Sequence, residues 1–484
     1  MSIETQLRET LHRAAGGIGQ EHPDALVRSE GMHVLARRRS RRRAAVATSG
    51  LAALLVIVAV PVGQSLREPS GGNTAAPSVP AGDIFGVPTR GSLAGSSGFV
   101  DAVRELPWTA PGTDAGEFPN PPVERRRVVF VGDVADGGRW ALVIGPNTTQ
   151  PTGDAADPDL QTDLDALSDI AAAWFVGPPG ASPEQMELVS VPRGISPDLP
   201  LSLYDGVSGA LVVVAAPGDV VEISARPDVA ADASISRTFT QTDVRDGVAV
   251  TLTQPNPYGS TPSVQYRVSR AGAVVAEQIP DGYLEPGTVV TVQSDELDFL
   301  RQPVEGLPEG FPGEQAQRMA VGILGEYGLG SDQIDLQVHY AGPVPGAGDA
   351  PAGLTVLTAT FPSGAVLTRA EWLQQLSDPG SFRLSRCTDA LTPAGLPAVQ
   401  RVMAIRCDVD SGDAQSSARE STLIVIAPAA LGGNEVVVTG TSGSSTFQLA
   451  EDGTILAPFP DGAQRVVIQT LDGTALGEAP IATS

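Results

Sequence analysis

The sequence is poor in the residues that most often build catalytic and metal sites. Its 484 residues include four histidines and two cysteines, and aromatic residues make up 5% of the chain. His339 is the one histidine beyond residue 33, so the C-terminal bulk lacks the three or four imidazole or thiolate ligands of a zinc site. No G-x-S-x-G motif supplies the nucleophile that a triad built on His339 needs. We expect neither enzymatic activity nor a cofactor, and the few aromatic residues disfavour a sugar-binding cleft.

Lysine is absent, so all 31 basic residues are arginine, and they are distributed unevenly. Residues 1–43 carry nine arginines against five acidic residues, whereas residues 64–484 carry 22 against 51. Phosphate binding needs clustered positive charge, so the acidic C-terminal part disfavours nucleic acid and anionic lipid as partners. Solubility alone explains this acidity, and a cationic ligand is the alternative explanation.

A stretch of twenty uncharged residues, 44–63, separates the basic part from the acidic part. A helix of this length spans about 30 Å, enough for the apolar core of a bilayer. The positive-inside rule places residues 1–43 in the cytoplasm and the C-terminal bulk outside. We therefore predict a single-pass protein of the cell membrane, anchored in the lipid bilayer by residues 44–63 and continuing into a flexible linker over residues 64–84. The basic block in front of the anchor consists of Arg37, Arg38, Arg39, Arg41, Arg42 and Arg43.

A cleaved export signal is the alternative interpretation of this stretch. A secretory signal has a short basic region and a small-residue cleavage site close behind the apolar run. Here 43 residues precede the run, and the Thr-Ala-Ala at 74–76 lies far downstream. A twin-arginine signal would use the Ser-Arg-Arg at 40–42, but two alanines follow where bulky apolar residues are usual. We favour an uncleaved anchor.

The first 43 residues begin with an amphipathic helix pattern. Ile3, Leu7 and Leu11 recur at four-residue spacing and form one apolar stripe. Such a helix either lies on lipid headgroups or docks onto a cytoplasmic protein.

The run LRETLHRAA…PDALV…RRRSRRR in front of one apolar segment resembles the N-termini of uncharacterised actinobacterial single-pass membrane proteins. Some of those proteins are associated with extracytoplasmic-function sigma factors. The resemblance covers the first 63 residues and implies a cytoplasmic protein partner for residues 1–43, such as a sigma factor. The sequence departs from the better-known anti-sigma pattern, because it lacks the His-x-x-x-Cys-x-x-Cys zinc motif.

Strand patterns dominate after residue 85. Residues 127–144 form two apolar runs around Asp136-Gly137-Gly138, a strong hairpin signal. Residues 210–224 divide at Pro217-Gly218 into another pair of strands. Further strands are predicted at 171–176 and 186–191, and helices at Ser97–Leu106, Leu160–Ile170 and Gln315–Tyr327.

Several segments recur in the same order about 200 residues later. The matched pairs are 211–224 with 423–440, the strands around Phe239 and Phe447, 246–252 with 452–459, 266–277 with 466–478 and, more weakly, 127–144 with 354–372. Alternating apolar runs need a second sheet to cover them, so we predict a mainly β fold with a few helices (α+β). Its two β-sandwich-like modules, 85–290 and 305–484, would arise from a tandem duplication. The alternatives are chance similarity between strand–turn–strand segments and one domain with a single extended sheet.

Few residues in the acidic part are candidates for chemistry. Cys387 and Cys407 are predicted to form a disulfide, because both lie outside the cytoplasm and lack the C-x-x-C spacing of a redox pair. His339 is predicted to be a surface strand residue on the face opposite Leu336, Val338 and Tyr340. Two acidic clusters do not fit a calcium loop and are predicted to be solvated. They comprise Asp154, Asp157, Asp159, Asp163, Asp165 and Asp169, and the segment Asp408-Val409-Asp410-Ser411-Gly412-Asp413.

The sequence as a whole predicts a membrane-anchored extracytoplasmic binding or signalling protein. Its outer modules would bind an unknown extracytoplasmic ligand, and residues 1–43 would regulate a cytoplasmic partner. The alternative is a structural cell-envelope protein without a signalling role.

Overall fold

The computed structural model describes residues 84–483, apart from 110–117, 148–168, 191, 259–261, 285–287, 289, 294–295, 305–306, 308–309, 345–351, 376–381, 411–418 and 433–434. The predicted anchor, its six arginines and the amphipathic helix pattern lie outside the described residues. Neither of the two α-helices within them is long and apolar enough to cross a membrane.

The first half of the described chain runs from residue 84 to residue 293. Its elements are α1 (Ser97–Glu105), β1 (Arg127–Val134), β2 (Gly138–Pro146), β3 (Ile170–Gly177), β4 (Glu187–Leu188), β5 (Arg193–Ile195), β6 (Leu201–Asp205), β7 (Ala210–Val214), β8 (Val220–Ser224), β9 (Asp228–Val229), β10 (Ile235–Ser236), β11 (Thr240–Gln241), β12 (Val244–Arg245), β13 (Val248–Leu252), β14 (Gln265–Arg270), β15 (Ala273–Gln278) and β16 (Asp281–Tyr283).

The second half runs from residue 296 to residue 483. Its elements are β17 (Asp298–Phe299), α2 (Phe311–Tyr327), β18 (Asp335–Pro343), β19 (Ala352–Thr360), β20 (Val366–Gln375), β21 (Phe382–Thr392), β22 (Met403–Asp410), β23 (Arg419–Ile426), β24 (Glu435–Gly440), β25 (Gly443–Gln448), β26 (Thr454–Pro458), β27 (Ala463–Gln469) and β28 (Ala475–Pro480).

Each half contains three main sheets, which we call the meander, inner and outer sheets. In the first half the meander sheet has the order β1-β2-β3, with β4 and β5 both paired to β3. The inner sheet has the order β12-β13-β7-β6-β16 and the outer sheet β11-β8-β14-β15. In the second half the corresponding orders are β17-β18-β19-β20-β21, β22-β23-β26 and β25-β24-β27-β28. Strands β9 and β10 form a separate two-stranded ribbon.

The helix and the three sheets of each half are stacked in the same sequence of layers. In the first half, Val103 of α1 packs on one face of the meander sheet, whose other face packs through Trp174 on the inner sheet. The inner sheet then packs on the outer sheet, around Val213 and Val268. In the second half, α2, the meander sheet, the inner sheet and the outer sheet follow one another in the same way. Both halves are therefore four-layer stacks.

The two halves also share their strand topology. The inner-sheet order β13-β7-β6 corresponds to β26-β23-β22, and the outer-sheet order β11-β8-β14-β15 corresponds to β25-β24-β27-β28. The chain before each helix pairs in parallel with the first meander strand, at Arg90 with Phe130 and between β17 and β18. The mainly β fold predicted from the sequence is confirmed. The shared strand order supports the tandem duplication, which stays a prediction.

The most apolar segments of the sequence form the inner sheets. Leu211 and Val213 of β7 face the outer sheet, whereas Val212 and Val214 face the meander sheet. All five residues of β7 are buried because both faces of the strand are covered. A strand covered on both faces loses the alternation of apolar and polar residues, which explains the continuous apolar runs at 210–214 and 423–426.

Some local predictions need correction. The two strands predicted within residues 210–224 are present as β7 and β8, and they belong to different sheets. By strand order, the first hairpin corresponds to β18 and β19, so residues 354–372 correspond to β2 and β3 instead. Of the predicted helix Leu160–Ile170, residues 160–168 lie outside the described residues and Ile170 begins β3. The helices predicted near residues 97 and 315 are confirmed.

The two halves contact each other through the first half's β13–β14 connection. The Asn256 side-chain amide donates to the Gly325 carbonyl on α2 over 2.7 Å. A Cβ at Gly325 would lie 2.5 Å from the Tyr258 carbonyl oxygen, so the close approach requires glycine. The Ala394 amide also donates to the Ala231 carbonyl, at 2.7 Å.

Candidate functional site

The described chain begins with a segment inserted into the core, which we call the strap and define as residues 84–93. Ile84 and Phe85 are buried between the meander and inner sheets. The Arg90 amide donates to the Val129 carbonyl at 3.0 Å, and the Val131 amide donates to the Arg90 carbonyl at 2.9 Å. The strap is thus hydrogen-bonded to the free edge of β1.

Gly91 allows the strap to lie this close to β1. Its φ is +104°, and a Cβ there would be 2.2 Å from the Val131 carbonyl oxygen. Any side chain at this position would force the strap away from the strand.

The side chain of Arg90 fastens the strap to a second sheet. Its guanidinium donates to the Ala215 carbonyl at 2.7 Å and to the Asp246 carbonyl at 3.2 Å, both in loops at the end of the inner sheet. It also donates to the Ile84 carbonyl at 2.7 Å, within the strap itself. Arg90 is buried, and this one residue joins the strap to the meander sheet through its backbone and to the inner sheet through its side chain.

The second half contains the same arrangement at the equivalent place. Arg301 follows β17 and donates to the Ala427 carbonyl at 2.5 Å and to the Asp452 carbonyl at 2.8 Å. It donates to the His339 carbonyl as well, at 3.2 Å. Burial lowers the pKa of the Arg301 guanidinium, although Asp452 opposes that shift. We call Arg90 and Arg301 the two clasps.

The acceptors of the clasps are themselves equivalent. Ala215 and Ala427 each follow the central strand of an inner sheet, and their amides donate to Gly247 and Gly453, at 2.7 and 2.8 Å. The Asp-Gly turns that hold those glycines are among the repeated segments of the sequence, so the acceptors carried a sequence signal. The arginines did not, because a single arginine between turns is usually solvent-exposed.

The predicted disulfide between Cys387 and Cys407 is present. Its Cα atoms are 4.5 Å apart, and both residues are buried. Cys387 lies on β21 of the meander sheet and Cys407 on β22 of the inner sheet, so the bond joins two layers of the second half. This placement is that of a structural cross-link.

His339 is buried, which contradicts its prediction as a surface residue. The predicted face opposite Leu336 and Val338 is correct, but both faces of this sheet are covered, one by α2 and the other by the inner sheet. The bulge between Val338 and Tyr340 moves Tyr340, not His339, to the other face. His339 lies on the side covered by the inner sheet, is 3% exposed, and its Nε2 is 2.9 Å from the Thr358 hydroxyl. Burial, with a contribution from Arg301, lowers the pKa of His339 to about 4.

The buried His339 makes stability dependent on pH. Its folded pKa of about 4 lies below the ordinary value of 6.5, so the unfolded chain binds the proton more tightly. Stability is therefore complete above pH 6.5 and falls as the pH drops towards 4. Between pH 7 and pH 5 we expect a loss of about 2 kcal/mol from this residue. Urea unfolding at both pH values, compared with His339→Gln, measures the contribution; equal pH dependence in the two proteins would contradict it.

A network of charges lies between α2 and the second meander sheet. Arg369 is buried and donates to both carboxylate oxygens of Asp389, at 2.8 and 2.9 Å, and to Glu326 on α2 at 2.8 Å. Arg386 donates to Glu371 and Asp389, each at 3.0 Å. Each charge faces an opposite one, as in a structural ion-pair network.

An open crevice lies beside the first half's outer sheet. Arg193 and Asp281 form an ion pair at it, and the Tyr266 hydroxyl donates to the Pro200 carbonyl at 3.3 Å and contacts the Gln278 side-chain oxygen at 3.2 Å. The polar groups of the crevice bond to one another, and we assign it no ligand.

The acidic clusters are only partly within the described residues. Asp154, Asp157, Asp159, Asp163 and Asp165 lie outside them, as do residues 411–413. The Asp408 carboxylate accepts from Arg406 at 3.0 Å and from the Ser421 hydroxyl at 2.6 Å. In the part of the chain that the structure describes, no group of three or more histidine, cysteine, aspartate or glutamate side chains could hold a metal ion.

Comparison with known proteins gives little information. No known protein family and no curated protein matches the chain. Among solved structures, the chain is similar to one described as a Ca²⁺-stabilised adhesin that helps an Antarctic bacterium reach out and bind ice. The sequences are 10% identical, the match covers 73% of this chain and 97% of that one, and the TM-score is 0.14. A similarity this low carries no argument about fold or function.

Proposed function

We propose that the chain is a membrane-anchored extracytoplasmic binding protein that signals to a cytoplasmic protein through residues 1–43. The observation that carries the proposal is the order of the sequence: a short basic end, six arginines, twenty uncharged residues and a large acidic β-rich part. A chain of this pattern is expected to insert with its basic end inside.

The disulfide supports the extracytoplasmic position of the β-rich part. Buried disulfides that join separate layers persist in oxidising compartments and are rare in the cytoplasm. Cys387 and Cys407 are the only cysteines, so no reduced cysteine argues for the opposite compartment.

The apolar stripe of residues 3–11 is the proposed contact with the cytoplasmic partner. Their four-residue spacing predicts that the three aliphatic side chains would share one face of a helix, the arrangement by which amphipathic helices dock into apolar grooves. Introducing a charge on that face should abolish docking, whereas the same charge on the opposite face should not.

Co-purification from membranes with the full-length tagged chain tests this proposal. The test variant is Leu7→Asp/Leu11→Asp, and the matched control is Thr5→Asp/His12→Asp, which places two charges on the opposite face. We expect one cytoplasmic protein to co-purify with the wild type and the control and to fall at least tenfold with the test variant. If no protein shows this dependence, the signalling role is wrong and the alternative, a structural protein of the cell envelope, is favoured.

A further inference from the structure

We propose that the strap is a releasable latch that sets the length of the tether between the outer domain and the membrane, with Arg90 as its lock. The inference rests on the membrane anchor proposed above. It assigns a regulatory role to residues 84–93. The predicted linker, 64–84, overlaps this segment at Ile84, which is buried in the core and thus belongs to the strap.

The strap is held by apolar burial at its start and by hydrogen bonds to β1 further along. The Thr89 hydroxyl donates to the Val128 carbonyl at 2.8 Å, and the Ser92 hydroxyl accepts from the Asp133 amide at 2.9 Å. Ile84 and Phe85 are its two residues in the core cluster between the sheets. Its backbone bonds to β1 are those of Arg90 with Val129 and Val131, together with a 3.2 Å bond from the Leu93 amide to the Val131 carbonyl. On its other edge, β1 is paired with β2 apart from a bulge at Val129, so the meander sheet keeps its strands when the strap leaves.

Arg90 connects the strap to the sheet that the strap's backbone does not reach. The backbone bonds go to the meander sheet, whereas the guanidinium reaches Ala215 and Asp246 at the end of the inner sheet. The bond to Ile84 folds the start of the strap back onto the same guanidinium. Loss of this one side chain therefore loosens the beginning and the middle of the strap together.

Release changes the geometry of the tether. A strap of ten residues adds at most about 33–36 Å of reach when extended, because each residue spans at most about 3.3–3.6 Å. Arg301 closes the equivalent clasp in the second half, but the chain before it continues into the folded first half. Opening that clasp cannot lengthen the membrane tether, so Arg301 is a matched internal control.

Hydrogen exchange of the full-length chain in nanodiscs tests the latch. In Arg90→Ala we expect the backbone amides of residue 90, Leu93 and Val131 to exchange at least tenfold faster than in the wild type. The amides that pair β2 with β3 should keep their wild-type rates. In Arg301→Ala we expect faster exchange at Ala427 in the second half and no change in the strap. Unchanged strap exchange in Arg90→Ala would overturn the proposal.

A second variant shows whether the strap opens by itself or only together with the rest of the first half. Phe85→Ala removes apolar contact of the strap and leaves the clasp in place. If it accelerates exchange in the strap alone, the latch is supported. If it also loosens the whole half, the strap is part of the cooperative core and the latch is wrong.

Energy transfer separates the latch from the anchor. With a dye on Ser442→Cys, an exposed turn position, and acceptors in the nanodisc lipid, transfer should decrease in Arg90→Ala and stay constant in Arg301→Ala. Faster hydrogen exchange in the strap without a change in energy transfer would contradict the membrane anchor, while release of the strap on loss of Arg90 would still be supported.

Discussion

Replacement of Asp389 with alanine is expected to lower the free energy of unfolding by about 3–5 kcal/mol. Asp389 accepts two parallel hydrogen bonds from Arg369, whose side chain is 2% exposed. Without Asp389 the guanidinium stays buried with Glu326 as its remaining carboxylate partner, and Glu326 is 47% exposed. A buried charge that loses its main partner keeps the cost of desolvation and loses most of the attraction.

A double variant that also removes Arg369 distinguishes the cost of an unpaired buried charge from simple loss of packing. In the first half, the residue equivalent to Arg369 is Ala171, because Ala-Ala-Ala-Trp174 aligns with Arg-Ala-Glu-Trp372, and Ala171 is fully buried. An apolar side chain is thus compatible with the site. We expect Arg369→Leu/Asp389→Ala to recover much of the loss in urea titrations followed by tryptophan fluorescence. A double variant less stable than Asp389→Ala would contradict the account.

An exposed ion pair provides the control for these titrations. Arg267 and Glu277 are 2.9 Å apart on the first outer sheet, with side chains 30% and 40% exposed. Solvent screens such a pair, so Glu277→Ala should cost less than about 1 kcal/mol.

Removal of the disulfide is expected to lower the free energy of unfolding by about 3 kcal/mol. The bond closes a loop between residues 20 positions apart, and cutting it returns that loop's freedom to the unfolded chain. Alanine is the suitable replacement at both cysteines, because a serine hydroxyl would need a new partner in a buried site. The measurement is urea unfolding of Cys387→Ala/Cys407→Ala.

The effect should be confined to the second half. The bond joins the meander and inner sheets of the second half, where it lies in the same core cluster as Trp372. The equivalent tryptophan of the first half, Trp174, packs between its sheets without a disulfide. Hydrogen exchange should therefore accelerate around β20 to β22 and stay constant around β3. Equal stability with and without the bond would show that the layers are held by packing alone.

Much of the fold was predictable because turns and apolar runs are local signals. The Asp-Gly-Gly turn at residues 136–138 fixed the first hairpin, and the apolar runs at 210–214 and 423–426 indicated central strands. The order of the repeated segments anticipated the shared strand order of the two halves, except for residues 127–144 and 354–372, which lie one strand out of register. The cysteines were paired correctly because only one pair exists.

The missed features depend on contacts between distant residues. The burial of His339 was missed because the alternation of residues in one strand does not show that both faces of its sheet are covered, one by α2 and the other by the inner sheet. Each module was predicted as a sandwich of two sheets, whereas each half contains three. The alternation of apolar and polar residues shows which strands are covered but not how many sheets there are. The contacts of Arg90 and Arg301 gave no sequence signal, since their partners are backbone carbonyls, which every residue type carries.

The most direct test of the central claim is the topology of the chain in intact cells. The native cysteines are joined in a buried bond, so a single new cysteine at Ser29 or Ser78 reports its own side of the membrane. A membrane-impermeant maleimide should label Ser78→Cys in intact cells and Ser29→Cys only after permeabilisation. Labelling of Ser29→Cys in intact cells, or release of the β-rich part from washed membranes, would contradict a single anchor with its basic end in the cytoplasm.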